Sequence, residues 1–403
     1  MHLTILVQKY GGTSVGTIER IEKVAKRIIK KKLEGYKVVV VVSAMAKTTD
    51  ELLTMAYTMS KHPPKRELDM LLSTGEQISI SLLSIALNEQ GHSAISFTGS
   101  QVGIKTTGFH TKSKISEIDG TRIREALEED KIVIVAGFQG INENDDITTL
   151  GRGGSDTTAV ALAASLEGEC QIYTDVDGIY SIDPRVYTNA KKLNTITFEE
   201  MLEMASLGAG VMHYRAIELG EKFNVPIYVA SSMYDAEGTL IKESDNMMEG
   251  PAITGMAINN DDAMISLNNV PHKIELIASI FNSLAKEDIN IDMISQTSPQ
   301  NGMVSISFTL PKGELTDGTE IINSYINKYP IIHMDINEDI TKLSVVGIGM
   351  RSQSGVAAQM FMLLAKADIP IHMVTTSEIK ISYVIHPADQ QKAVQTIAKA
   401  FDL

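Results

Sequence analysis

Apolar and polar positions follow two rhythms over the first part of this chain. Residues 3–7 form a short apolar run, read as a strand. Ile18, Ile21, Val24, Ala25, Ile28 and Ile29 then recur at helical spacing behind Thr17, a helix-capping residue type. Residues 38–42 are five valines in a row, the pattern of a strand covered on both faces. Residues 65–87 read as a helix, with an interruption expected at 72–77, where Ser73, Thr74, Gly75, Glu76 and Gln77 crowd together. Further strands are predicted at 94–97, 132–138 and 171–174, a helical pattern at 197–222, and a last strand at 225–230. The polar stretch 231–250 has the composition of a linker. Strand and helix alternating over about 240 residues predict a doubly wound α/β domain.

The final third has a different rhythm. Residues 278–293 and 358–373 align at a shift of 80 residues with nine of sixteen positions identical, among them Phe281/Phe361, Lys286/Lys366, Asp288/Asp368 and Met293/Met373. Each copy reads as an amphipathic helix, a turn and a strand. With strand-like segments at 263–267, 303–310, 343–348 and 379–385, the pattern predicts two β-α-β-β-α-β units. A duplicated module behind an α/β domain suggests sensing, dimerisation or both.

Composition narrows the function. Of 403 residues, 50 are Asp or Glu and 36 are Lys or Arg, a formal charge of −14 that argues against nucleic acid or a polybasic membrane surface as partner. The single cysteine, Cys170, opens an apolar strand and reads as a buried inert thiol; it excludes an intramolecular disulfide framework. No signal-peptide pattern or membrane-length apolar run is visible, so a cytoplasmic protein is expected.

Two glycine loops carry the candidate chemistry. Residues 148–158 (TTLGRGGSDTT) lie between an apolar strand and a helix-forming stretch, with Ser155 or Asp156 expected near the N-cap. Glycines admit backbone N–H groups close to an anion, a helix N-terminus adds partial positive charge, and Arg152 offers a fork suited to carboxylate or phosphate. A glycine-rich surface turn with a solvated arginine is the plainer alternative. The second loop, Lys9-Tyr10-Gly11-Gly12-Thr13-Ser14-Val15, again joins a strand to a helix, with Lys9 as a point charge beside a backbone nest. Its lysine precedes the glycines, so it is not a Walker A loop. Glu76 is either solvated or an inward carboxylate facing an ammonium group. The segment 175–185, with Asp175, Asp177, Gly178 and Arg185, suits a nucleotide or an ordinary turn with a proline stop. His213 has no partner at metal spacing and reads as structural.

These motifs, with Ser43-Ala44-Met45, Gly75-Glu76 and Tyr173-Thr174-Asp175-Val176-Asp177-Gly178, resemble aspartate kinase of the amino-acid-kinase fold, and the repeat resembles a pair of ACT domains. The resemblance implies a kinase domain over 1–248, a first ACT domain over 264–336, and a second formed by 249–263 with 337–403. It implies transfer of the ATP γ-phosphoryl group to L-aspartate. Lys9 and Asp156 would be catalytic, and Ser43, Thr49, Glu76, Arg152, Gly153, Gly154 and Ser155 would hold the substrate. Lys9, Tyr10, Gly11, Gly12, Thr174, Asp175, Tyr180, Arg185, Gly210 and Val211 would hold ATP. Mg²⁺ would bridge the phosphates, with no protein ligand assigned. Lysine or threonine would bind between ACT units of a homodimer, or of a larger oligomer, and inhibit. Met293, Ile294, Ser295, Gln296, Ser298, Ser354, Gly355, Val356 and Ala357 are the expected contacts.

Two departures from the pattern stand out. Gly210 occupies a position where the family usually has lysine, so weaker ATP binding or a substitute cation such as Arg215 is expected. The first repeat has Pro271-His272-Lys273-Ile274-Glu275 where an Asp-x-Pro-Gly turn is usual, whereas the second keeps Gly355. Other readings are a kinase of the same fold with another acceptor, and a non-catalytic amino-acid sensor with a decayed kinase domain.

Overall fold

The computed structural model describes residues 4–208, 210–244 and 250–403. The chain divides into two compact units. One holds the chain up to Ile179, Lys192–Ala205 and the stretch from Gly210; the other holds Tyr180–Lys191 and the C-terminal region to Leu403.

Among the described residues, the first unit is built on an eight-stranded sheet. Its order is Thr195–Thr197, Thr239–Lys242, Ile227–Ser231, Glu169–Thr174, Ile5–Tyr10, Lys37–Val42, Ile132–Ala136 and Ala94–Phe97. Only the pair Ile227–Ser231 and Thr239–Lys242 runs antiparallel. Val38 to Val42 are all buried, as an uninterrupted valine run requires. Helices Ile18–Leu33 and Lys65–Glu89 pack against one another and carry Ile21, Val24, Ile28, Leu83 and Leu87 into the core cluster. Helix Gly154–Leu166 packs on Ile5–Tyr10 and Lys37–Val42. The central register sets Lys9 beside Val41 and Ile172, so three strands deliver their C-terminal ends, and the loops beyond them, to one edge.

Several elements differ from the sequence expectation, each for a physical reason. The first strand extends to Tyr10, which puts Lys9 on rigid sheet instead of in a loop. Helix Lys65–Glu89 runs through 72–77 without a break, because Ser73, Gly75, Glu76 and Ser79 are buried and face inward. By length and composition that helix would cross a membrane, but Leu68, Leu72, Ile80, Leu83 and Leu87 are core residues. Helix Gly154–Leu166 is capped by Gly153 at φ 67°, not by the side chain of Ser155 or Asp156. The 197–222 pattern is two helices, Phe198–Ser206 and Tyr214–Lys222. Ile227–Ser231 is not the last strand, because Thr239–Lys242 lies inside the expected linker; residues 245–249 fall outside the described ones. A second sheet of Lys114–Ile118, Ile104–Thr107, Gln139–Ile141 and Ile147–Thr149 was not anticipated.

The C-terminal unit contains two four-stranded antiparallel sheets. One joins Ile294–Gln296, Met303–Pro311, Asp262–Pro271 and His333–Asn337. The other joins Gly255–Asn259, Thr341–Val346, Lys380–Ile385 and Met373–Thr376, so its first strand precedes the whole of the former sheet in sequence. The repeated helices, Ile274–Lys286 and Val356–Lys366, each cover one sheet. The second begins after Gly355 at φ 92°; the first begins after Lys273 in extended backbone, the physical form of the departure noted above. Lys342 joins the two sheets through Asp262 and Asp292, each at 2.6 Å. Beside that triad, Met293, Ile340, Met373 and Val384 form a small shared core.

Candidate active site

The site is assembled at the C-terminal edge of the main sheet, where ligands of open α/β folds gather. Lys9 comes from the end of strand Ile5–Tyr10 and Asp156 from the first turn of helix Gly154–Leu166. Their charged groups approach to 2.6 Å, with side chains 11% and 13% exposed. Asp156 Oδ1 makes no aligned hydrogen bond, so the contact is Coulombic and leaves the ammonium protons free to turn elsewhere. A methyl group built on Gly11 would lie 3.5 Å from Lys9 Nζ, so the glycine leaves the ammonium uncovered. Gly11 N–H itself donates to Tyr173 O at 3.3 Å, which corrects the expectation that both glycine amides serve an anion. Gly12 is required because a Cβ there would stand 2.7 Å from Ala44 O.

Ser43 and Ala44 follow the valine strand, and Glu76 reaches them from the long helix. Gly75 permits that approach, since a Cβ would meet the Ala44 methyl at 2.8 Å. Glu76 Oε1 accepts the Ala44 N–H at 3.0 Å, while Oε2 is buried and has no partner. Burial pushes the Glu76 carboxyl up to about 7, against the opposing pull of the Ala44 hydrogen bond. A buried, half-satisfied carboxylate is costly on its own and favours a cationic partner. Thr49 is half-buried in helix Thr48–Met59.

Arg152 lies in the turn between strand Ile147–Thr149 and helix Gly154–Leu166, exposed and without a hydrogen-bond or ion-pair partner among the described residues. Gly151 and Gly153 flank it at φ 76° and 67°. Gly154 lies against Phe138, a non-glycine residue at φ 70° whose N–H donates to Thr158 Oγ1 at 3.1 Å. Phe138 was invisible in the sequence, where it reads as the end of an apolar strand. His213 packs so tightly on Gly153 that a Cβ there would sit 2.1 Å from its own, and His213 Nδ1 caps helix Tyr214–Lys222. Burial, then the nearby Arg215, lower its pKa.

Other expected residues fall differently. The Tyr10 side chain is fully buried, stacked on Tyr173 at 5.0 Å, and burial raises its pKa, so it is unavailable to a nucleotide. Thr174 hydroxyl donates to Asp175 at 3.1 Å at the strand end. Tyr180 and Arg185 belong to the C-terminal unit, where Arg185 pairs with Asp183 at 2.6 Å and neighbouring Ile182 enters the core. Gly210 is exposed and Val211 half-buried, while Ala209 lies outside the described residues. Arg215 does not project as a replacement cation, because its guanidinium donates to Leu150 O and to Ser113 O at 3.0 Å. Cys170 is buried and its thiol pKa raised by that burial. Among the described residues no three His, Cys, Asp or Glu side chains cluster as a metal site, so no protein cage for Mg²⁺ is formed. Of the expected effector contacts, Ile294, Ser295, Gln296 and Ser298 are exposed, the first three on an edge strand, whereas Met293 is buried. Gly355, Val356 and Ala357 line a surface depression with Arg351, Thr376 and Glu378, and Ser354 is exposed beside it.

Comparison with known proteins agrees with this architecture. The amino acid kinase family model matches residues 4–231, and the ACT domain model matches residues 265–324 and 343–401. The aspartokinase of Bacillus sp. (strain MGA3) is 47% identical over 400 residues, covering 99% of this chain and 97% of the relative. That of Geobacillus stearothermophilus is 48% identical over 400 residues, with the same coverage of 99% and 97%. The structure of E. coli aspartokinase III in complex with lysine and aspartate (T-state) superposes with a TM-score of 0.79 at 25% identity, over 98% of this chain and 99% of that one. With both family models placed on the observed units and end-to-end identity near one-half, the chain belongs to the aspartokinase family.

Proposed function

We propose that the protein transfers the γ-phosphoryl group of ATP to the β-carboxylate of L-aspartate, giving 4-phospho-L-aspartate, and so opens lysine, threonine and methionine biosynthesis. The observation that carries the reading is the pairing of opposite deficits at one sheet edge. Among the described residues, Glu76 Oε2 is a buried acceptor without a donor, and Arg152 is a cation without an anion. An α-amino acid with a carboxylate supplies both. Phosphoryl transfer asks the protein for positioning and charge neutralisation, and an ionised acceptor needs no base. Lys9 neutralises charge on the transferring group, oriented by Asp156; the Gly12 amide adds a dipole. Arg152 clamps a substrate carboxylate, Glu76 takes the ammonium, and Ser43, Thr49 and residues 153–155 shape the pocket. Thr174 and Asp175 contact the nucleotide, and Mg²⁺ travels with the phosphates.

The regulatory part of the proposal is that lysine, threonine or both act at the ACT pair of a dimer, through Ile294–Gln296, Ser298 and residues 353–358. The relative solved with lysine and aspartate bound supports that class of effector. The ACT domains are taken as 264–336 and 249–263 with 337–403, and the kinase domain as 1–248; the two four-stranded sheets support the division, although strands Asp262–Pro271 and His333–Asn337 overrun the first range by one or two residues. Trapping the acyl phosphate with hydroxylamine, with and without lysine and threonine, tests both modules. Aspartate-dependent turnover suppressed by either amino acid is the expected result. ATP binding without turnover on aspartate would require a different acceptor.

A further inference from the structure

The short connection that carries Arg152 is gripped from two sides by residues with no place in the mechanism above. Asp69, fully buried and two helical turns before Glu76, accepts the hydroxyl of Thr149 on Oδ1. The same carboxylate accepts Thr111 N–H at 3.0 and 3.1 Å, and Oδ2 pairs with His110 Nδ1 at 2.7 Å. From a different helix, Tyr214–Lys222, Arg215 donates one NH to Leu150 O and another to Ser113 O at 3.0 Å. Ser113 N–H in turn donates to Thr149 O at 3.0 Å. Both grips therefore hold the same two strips of backbone, residues 149–150 and the loop 109–113. Gly151 locks onto that loop, since a Cβ there would meet Thr111 O at 3.0 Å. A carboxylate accepting this many donors, and a guanidinium spent on two carbonyls, are heavy fixtures for a surface hairpin.

We infer that Asp69 and Arg215 are positioning residues for the substrate clamp: they fix residues 149–151 so that Arg152, which has no hydrogen-bond or ion-pair partner among the described residues, points where a carboxylate must bind. The inference rests on the aspartate-binding role proposed for Arg152. It follows that aspartate affinity, not ATP affinity, depends on them, because a guanidinium displaced by an ångström loses bidentate geometry while the Lys9 nest is supported by other strands. Helix Lys65–Glu89 then serves both ends of the amino acid, through Glu76 directly and through Asp69 at one remove.

The test is a set of Asp69→Asn, Arg215→Met and Thr149→Val variants, each alone and combined with Arg152→Met, assayed for acyl-hydroxamate at varied aspartate and varied ATP. Asp69→Asn and Arg215→Met should each raise the aspartate KM about tenfold, with the ATP KM within about twofold of the parent. Arg215→Lys should recover part of the loss. Placed on top of Arg152→Met, neither change should raise the aspartate KM further, since residues acting through one group are not additive. Should Asp69→Asn not fold, Thr149→Val removes one donor to the same carboxylate and should raise the aspartate KM about threefold. Equal rises in both KM values, or full additivity with Arg152→Met, would overturn the inference and leave a purely structural network. If Arg152→Met itself leaves the aspartate KM unchanged, the clamp reading fails, and Asp69 and Arg215 lose this role with it.

Discussion

Two ion-paired lysines show what separates machinery from masonry in this molecule. Lys342 is 3% exposed and meets two aspartates, Asp262 and Asp292, both at 2.6 Å. Burial pulls its pKa down, but the hydrogen bonds to both carboxylates more than reverse that, and the net shift is upward. Its charge is overcompensated and its ammonium buried, with Asp262 enclosed beside it and Asp292 37% exposed. Lys9 is almost as deeply set, yet it meets one carboxylate in a contact that is not an aligned hydrogen bond, beside a glycine that leaves the ammonium uncovered. Burial of charge therefore fails to mark a site by itself. What marks it is an incomplete set of partners, and Glu76 and Arg152 are incomplete in opposite senses.

Breaking each set should have unlike consequences. Lys9→Met should lower kcat by about 10²–10³ or more, because charge stabilisation is lost, and should cost less stability than Lys342→Met, because it strands one carboxylate and not two. Lys342→Met should do the reverse. Stranding two carboxylates costs about 3–5 kcal/mol in urea unfolding, with aspartate and ATP KM little changed in the absence of effector. An equal loss from Lys342→Leu with Asp262→Leu would argue that the triad has no special weight. Glu76→Gln sits between these cases. With its pKa raised to about 7, the folded protein binds a proton that the unfolded chain releases above about 4.5. Stability carried by Glu76 therefore falls as pH rises from about 4.5 to about 7. Glu76→Gln should unfold later than the parent at pH 8, by up to about 3 kcal/mol, and lose aspartate affinity. In the parent, aspartate kcat/KM should climb through about pH 7, and the variant should flatten that limb. The smallest effect belongs to Gly75→Ala, whose methyl would press on Ala44; about 1–3 kcal/mol of stability and a raised aspartate KM are expected.

Much of the fold was legible because its signals are long or repeated. The valine strand, both glycine loops and the 80-residue repeat depend on many positions at once. The errors cluster where polar residues lie inside. Ser73, Gly75 and Glu76 resemble a helix break, yet they face the core of an unbroken helix. Ser155 and Asp156 have the chemistry of caps, but Gly153 at φ 67° begins the helix earlier and frees Asp156 for Lys9. Thr239–Lys242 hides in a polar stretch because it is short and buries only Thr239 and Ile241, although it is paired on both sides, with Thr195–Thr197 and Ile227–Ser231. Asp69 gave no signal and Arg215 was read only as a substitute cation for ATP, since their partners are backbone groups, a hydroxyl and the His110 ring, brought in from distant segments. Only the two glycines flanking Arg152, each at positive φ, hinted that its loop was held rather than mobile.

The strand Gly255–Asn259 pairs with Thr341–Val346, so an entire sheet module is spliced into the first crossover of another. The splice points meet: the hydroxyl of Thr341 donates to Asn260 Oδ1 at 2.6 Å. An insertion whose ends touch is a cassette, removable or exchangeable without stretching its host. Gene rearrangement could thus replace one sensory module while its host kept every strand partner, and a truncation ahead of residue 341 would strand the host's first strand with an unpaired edge.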